Sequence, residues 1–167
     1  MKTKSKKNKI KILVLVTGSI ASVRIPLLIS HLVKDDFEVK CVLSKNAENI
    51  IKPLSVSILS RNSCILENDQ WSNDQSKPLH INLCDWADIL IMAPLPAPTL
   101  SKWVTGNAEG LIPSILIANN KPIIVAPAMN TKMWINNAVQ KNYKTLDDYK
   151  NVLTLQPNEG LLACDEI

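Results

Sequence analysis

The 167-residue sequence predicts an α/β fold: one doubly wound, Rossmann-like parallel sheet in a flavodoxin-like three-layer arrangement. Three observations carry that expectation. Aliphatic runs recur along the chain, at 10–16, 37–43, 88–92 and 123–126. They are too short for free helices and β-branched enough for strands buried on both faces. Helical stretches joined by short turns separate the runs, the order that generates parallel strands. Residues able to do chemistry fall just before or just after the runs, and ligands bind at the carboxyl ends of strands in open α/β sheets.

In chain order, Ile10 to Val16 is the first strand, followed by Thr17-Gly18-Ser19-Ile20-Ala21-Ser22 and a helix to Val33. Phe37 to Leu43 is the second strand, with Ser44-Lys45-Asn46 at its end. A helical segment is expected over 47–60, broken by Pro53, then a short strand at 64–66. Residues 67–78 are polar and make a surface loop around Trp71. His80 to Asp85 precede a strand at 88–92, and helices are expected over 97–105, ended by Gly106, and over 110–118. Lys121 to Trp134 follows: a strand over 123–126, then Pro127, which can neither extend the ladder nor let its predecessor turn helical. Asn130 or Thr131 caps the next helix, over 130–141, and a last strand is expected at 151–155.

Length and composition fit one domain over 10–167 behind a basic tail at 1–9. Six lysines lie in the first eleven residues, and the formal charge is only +4, so the rest of the chain is slightly acidic. That pattern fits a solvated terminus, with no nucleic-acid or membrane partner. No apolar run approaches the roughly 18 residues that span a bilayer. The start of the chain has no apolar core of a secretory signal. Cys41, Cys64, Cys84 and Cys164 show neither a CxxC pair nor metal-ligand spacing, so no metal is expected, and reduced thiols in the cytoplasm are.

Six places carry candidate chemistry. Gly18, Ser19, Ile20 and Ala21 lie between the first strand and helix. There glycine allows close backbone approach, serine offers a hydroxyl and the helix start offers free N–H groups to a phosphate. The pattern is not GxGxxG, so the dinucleotide fingerprint is absent. Ser44 and Asn46 end the second strand, as cofactor contacts or as caps of the next helix. His80 opens HINLCDWAD ahead of a buried strand, whereas His31 lies mid-helix and is structural. Ala93-Pro94-Leu95-Pro96-Ala97-Pro98-Thr99-Leu100 follows that strand. Pro127-Ala128-Met129-Asn130-Thr131-Lys132-Met133-Trp134 forms the next turn, and Gly160-Leu161-Leu162-Ala163-Cys164 lies near the end.

The string Pro127 to Trp134 resembles the PxMNxxMW motif of the flavin-containing cysteine decarboxylases. The turn at 17–22, HINLCDWAD, the segment 93–100 and GLLAC resemble further blocks of that family in the same order, over nearly the whole chain. The resemblance implies FMN as cofactor, with Gly18, Ser19, Ile20 and Ala21 at its phosphate and Ser44, Asn46, Thr99, Ala128 and Met129 around it. It implies His80 as active-site base, Asn130 and Met133 at the substrate, and Cys164 as the acid of a final reductive step. It also implies a small-molecule cysteinyl substrate, 4′-phospho-N-pantothenoylcysteine of coenzyme A synthesis. Oxidation of the carbon bearing sulfur lets CO2 leave, and reduction of the resulting enethiol gives 4′-phosphopantetheine. A homotrimer, or a multiple of trimers, with FMN between subunits, and a separate phosphopantothenate–cysteine ligase, are further implications. Three positions depart from the family: Pro96 stands for Ser or Thr, Pro98 for Asn, and Asp165 for the Gly that follows the cysteine of GLLAC. Proline offers no side-chain donor and no N–H. The departures leave open a flavoprotein without decarboxylase activity, and a peptidyl-cysteine decarboxylase is a third reading.

Overall fold

The computed structural model describes residues 9–73 and 75–156. Six strands form one sheet in the order β3-β2-β1-β4-β5-β6, all neighbours parallel. They are β1 (Lys11–Val16), β2 (Glu38–Leu43), β3 (Ile65–Leu66), β4 (Ile89–Leu95), β5 (Ile123–Pro127) and β6 (Val152–Thr154). The chain winds outward from β1 to one edge, crosses back to β4 and winds to the other edge. The order of strands therefore reverses between β1 and β4, the switch point where the loops diverge and leave a crevice.

Among the described residues seven α-helices connect the strands: α1 (Ile25–Lys34), α2 (Pro53–Ser60), α3 (Leu79–Trp86), α4 (Ala97–Val104), α5 (Leu111–Ala118), α6 (Thr131–Trp134) and α7 (Asn137–Asp147). Alternate residues of β1 face opposite layers, as period-2 geometry demands. Ile12, Val14 and Val16 pack with Ile25, Ile29 and Val56 under α1 and α2. Leu13 and Leu15 pack with Leu83, Leu100, Ile115 and Leu146 under α3, α4, α5 and α7. This is the predicted three-layer fold.

Several boundaries differ from the sequence reading, for physical reasons. The first helix opens as a 3-10 turn at Ile20–Arg24 before α1, because Pro26 fits only a first helical turn. Pro53 likewise begins α2, leaving a separate 3-10 turn at Ala47–Asn49. The polar stretch holds a 3-10 turn at Glu67–Trp71, closed by Asp69 Oδ2 accepting the Leu66 N–H at 2.8 Å or less, namely 2.7 Å. β4 runs three residues past Met92, through a cis Ala93–Pro94 bond, and its register with β5 shifts between Met92 and Leu95. Pro127 ends β5 inside the ladder, paired with Leu95. The helix expected over 130–141 is two helices, since Asn136 leaves helical geometry and its side chain accepts the Ala138 N–H at 2.9 Å, starting α7 afresh. Among the described residues no helix is long and apolar enough to cross a membrane.

Candidate active site

The carboxyl ends of β1, β2, β4 and β5 bring four of the singled-out segments to one rim. At the end of β1, the Thr17 hydroxyl donates to the Pro94 carbonyl at 2.8 Å, tying this turn to the end of β4. The buried Ser22 hydroxyl lies within hydrogen-bonding distance of the Thr17 and Ser19 carbonyls, at 2.8 and 2.6 Å. It thereby fixes the curl of Gly18 and Ser19. Ser19 is extended (φ −134°, ψ 147°) and its side chain makes no cap hydrogen bond to the turn that follows. Its hydroxyl instead donates to the Ala128 carbonyl at 3.4 Å. That contact spans 109 residues and joins the β1 turn to the β5 turn across β4. The Ala128 N–H donates to the Leu95 carbonyl at 3.1 Å, so three strand ends are laced together.

Of the two residues offered as caps of the next helix, Ser44 takes that role and Asn46 does not. Ser44 behaves as a cap: its carbonyl and hydroxyl oxygens receive the Ala47 N–H at 2.9 and 3.3 Å. Asn46 makes no side-chain cap bond and packs against Gly18. A side chain at position 18 has no room there, because its β-carbon would overlap that of Asn46. Glycine is what lets the β1 and β2 turns close on each other.

Asn130 caps α6, its Oδ1 accepting the Lys132 and Met133 N–H groups at 2.8 and 3.4 Å. Met133 is exposed on α6, while Trp134 turns inward to an edge-on contact with Tyr143. Ala128 and Met129 are half-buried in the turn. Thr99 lies in the first turn of α4, and its half-buried hydroxyl has no partner among the described residues. Pro96 is the N-cap of α4 and Pro98 its second helical residue. The missing N–H of Pro98 falls where a helix start has no intrahelical acceptor to offer, so proline fits without strain.

His80 sits in the first turn of α3, where the sequence reading left only a segment ahead of β4. α3 descends to the amino end of β4, so its start lies at the same end of the sheet as the turns above. No hydrogen bond or ion pair links His80 to Ser19, Thr99 or Asn130 in this chain. His31 is exposed on α1, with no contact to the rim turns. Cys164 lies outside the described residues.

The donor set suits a flavin phosphate. The 3-10 turn at Ile20 leads straight into α1 and offers backbone N–H groups at its start, with the Ser44 hydroxyl on the next turn. The Thr99 hydroxyl adds an open donor beside the switch point. One feature escaped the sequence reading: a cavity of about 390 Å³ at the opposite, amino-terminal edge of the sheet, lined by Trp103, Thr105, Asn119, Tyr149 and Asn151. It shares no residue with the rim turns. No spacing rule marks it, because it is made by the ends of α4 and α5 meeting the start of β6.

Comparison with known proteins agrees with this geometry. The family model described as Flavoprotein matches residues 1–167. A probable phosphopantothenoylcysteine decarboxylase of Arabidopsis thaliana is 38% identical over 164 residues, covering 95% of this chain and 79% of that protein. The coenzyme A biosynthesis bifunctional protein CoaBC of Borreliella burgdorferi is 34% identical over 158 residues, covering 95% of this chain. The chain spans only 40% of that protein's length, and 30% of a yeast coenzyme A biosynthesis protein. Among solved structures, a PPC decarboxylase variant complexed with pantothenoylaminoethenethiol superposes with a TM-score of 0.84 at 31% identity, covering 95% of this chain and 88% of that one.

Proposed function

The chain belongs to the Flavoprotein family, among its flavin-containing cysteine decarboxylases, and from that premise we propose that it binds FMN and decarboxylates 4′-phospho-N-pantothenoylcysteine to 4′-phosphopantetheine. The observation that carries the reading is the lacing of the Ser19 turn to the Ala128 turn across the end of β4. It gathers a phosphate-type donor set and the Pro127 to Trp134 string at one switch point.

In this reading the N–H groups at the start of the Ile20 turn, with Ser19, Ser44 and Asn46, hold the FMN phosphate. Thr99, Ala128 and Met129 orient the ring system. FMN supplies the two-electron chemistry at the carbon bearing sulfur, and the protein supplies orientation and proton handling. Asn130 and Met133 hold the substrate beside that ring. His80 takes up the substrate's proton, and Cys164 returns one in the final reductive step. Holding the carboxylate fixed while the neighbouring carbon is oxidised is where positioning lowers the barrier.

We further infer a homo-oligomer, in threes, with the site completed between copies. Ile20, Val23 and Leu27 form an exposed apolar stripe along the first helical segment, and Ile135 and Leu153 are exposed as well. Stripes of this kind mark association surfaces. Among the described residues His80 has no bond to Ser19, Thr99 or Asn130, which fits the same arrangement. A cytoplasmic site of action and a phosphopantothenate–cysteine ligase as partner fit a coenzyme A role. Pro98, standing where the family has Asn, favours one second reading: FMN binding without efficient decarboxylation.

The test is direct. Purified protein should be yellow, with flavin released by heat, and should bleach anaerobically and release CO2 on addition of phosphopantothenoylcysteine. A colourless protein that takes up no added FMN would end the whole reading. A yellow protein that neither bleaches nor releases CO2 would leave only the second.

A further inference from the structure

We propose that Cys41 and Cys64 form a cross-strand dithiol that closes to a disulfide on exchange with a low-molecular-weight disulfide, locking edge strand β3 to β2. The geometry comes from register. Val42 lies beside Ile65 and Leu43 beside Leu66, so one step back along both strands sets Cys41 beside Cys64. The alignment continues past the ladder, since Asn62 Nδ2 donates to the Val39 carbonyl at 2.9 Å. Register mates in a parallel pair point to the same face. Cys41 is buried under α1 and α2, and Cys64 packs against that same cluster. Neighbouring strands run about 4.8 Å apart, inside the roughly 4.4–6.8 Å between α-carbons that a disulfide bridges.

The two thiols differ in access, which sets the order of events. Cys41 is 1% exposed and Cys64 is half-buried. The Cys64 thiolate attacks one sulfur of the small disulfide, forming a mixed disulfide and expelling one small thiolate. Cys41 then gives up its proton and attacks the Cys64 sulfur, expelling the second small thiolate. Two protein thiols are oxidised, one small disulfide is reduced to two thiols, and the protons balance on the products. Burial, with Glu48 and Asp69 close by, pushes the Cys64 thiol up to about 12. Burial and the neighbouring Cys64 push Cys41 upward too. Exchange is therefore slow at neutral pH and quickens with the thiolate fraction.

The lock would act on the segment that leads to His80. β3 runs straight into Glu67, whose Oε1 accepts the Leu111 N–H at 2.5 Å and so ties this segment to the start of α5. α5 in turn packs against α3, which carries His80.

The experiment uses the full chain. It is incubated with oxidised glutathione at pH 8 and pH 9, alkylated under denaturing conditions, and mapped without reduction. The expected result is a linked peptide pair joining Cys41 to Cys64, formed about tenfold faster at pH 9. Cys64→Ser and Cys41→Ala should each abolish that pair, and Cys84→Ser should leave it intact. Cys64 halted as a glutathione adduct with Cys41 still alkylatable would overturn the proposal. So would a linkage through Cys84 or Cys164 in place of this pair.

Discussion

Gly18 and Asn46 touch so closely that a β-carbon on Gly18 would overlap that of Asn46 and lie 3.3 Å from its carbonyl carbon. The two residues are 28 apart in sequence and end different strands, yet their contact sets the width of the candidate phosphate cradle. Gly18→Ala should therefore push the β1 and β2 turns apart. Overpacking of this kind costs about 1–3 kcal/mol, so the flavin-to-protein absorbance ratio at limiting FMN should fall about tenfold or more. Gly18→Ala combined with Asn46→Gly should regain part of that loss, since it clears the overlap but also takes the Asn46 side chain out of the cradle; no gain over Gly18→Ala alone would mean that the contact does not shape the cradle.

Ser19 tests the phosphate assignment. Ser19→Asp keeps an acceptor near the helix start, where a carboxylate stabilises the helix. Against a bound phosphate it adds like-charge repulsion. Far-UV circular dichroism should be unchanged and FMN affinity at least tenfold weaker, the loss easing at high salt. Unchanged flavin content would remove Ser19 from the phosphate site.

Asn130 caps α6, and the proposed substrate role can be separated from that cap. Asn130→Ala removes the α6 cap, worth about 1 kcal/mol, and should lower Tm by roughly 2–4 °C. Asn130→Asp retains a capping oxygen and should keep the Tm, yet place a charge beside the substrate carboxylate and cut turnover at least tenfold. Equal turnover in Asn130→Asp and the parent chain would show that only the cap matters.

Pro98 separates an active enzyme from a bare flavoprotein. It stands at the second position of α4, where a side-chain amide in its place costs the helix nothing. Pro98→Asn should leave FMN content unchanged and raise substrate-induced bleaching about ten- to a hundredfold, the worth of one charge-assisted hydrogen bond of about 1.5–3 kcal/mol. A well-folded yellow variant with no gain would favour binding without decarboxylation.

The thiols predict an alkaline limit to stability. The folded chain holds the Cys64 proton up to about pH 12, whereas an unfolded thiol releases it near 8.5. Above about pH 8.5 the unfolded state binds fewer protons than the folded one, so stability falls as pH rises from there towards 12. Below pH 8.5 this contribution is complete. Denaturant midpoints of the parent chain should drop between pH 8.5 and 11, and Cys64→Ala should flatten the drop. An identical slope in the two proteins would assign the alkaline loss elsewhere.

How much was legible in the sequence depends on the range of the forces involved. Aliphatic runs at 10–16, 37–43 and 123–126 announce buried strands because burial on both faces leaves few polar positions, and those present, Lys11, Glu38 and Lys40, fall at or near a strand's start. Pro127 and Asn130 announce a turn and a cap because the pyrrolidine ring and the short amide act within one or two residues. So the fold class and the placing of site turns beyond strand ends could be read locally. The extension of β4 through Pro94 and Leu95 could not, since it depends on β5 lying alongside to pair Pro127 with Leu95. Nor could the start of α3 before His80, which rests on Leu83 and Cys84 being buried against the helix layer.

The sequence by itself determined which residues are candidates for chemistry and that most of them follow strands, because those are properties of side-chain type and of contacts a few residues long. The tertiary structure alone decided which of them meet. Ser19 reaches Ala128, Gly18 abuts Asn46 and Cys41 lies beside Cys64 only because parallel pairing fixes register between segments tens of residues apart. Register is settled by burying whole faces of the sheet at once, a collective energy that no local stretch of sequence contains.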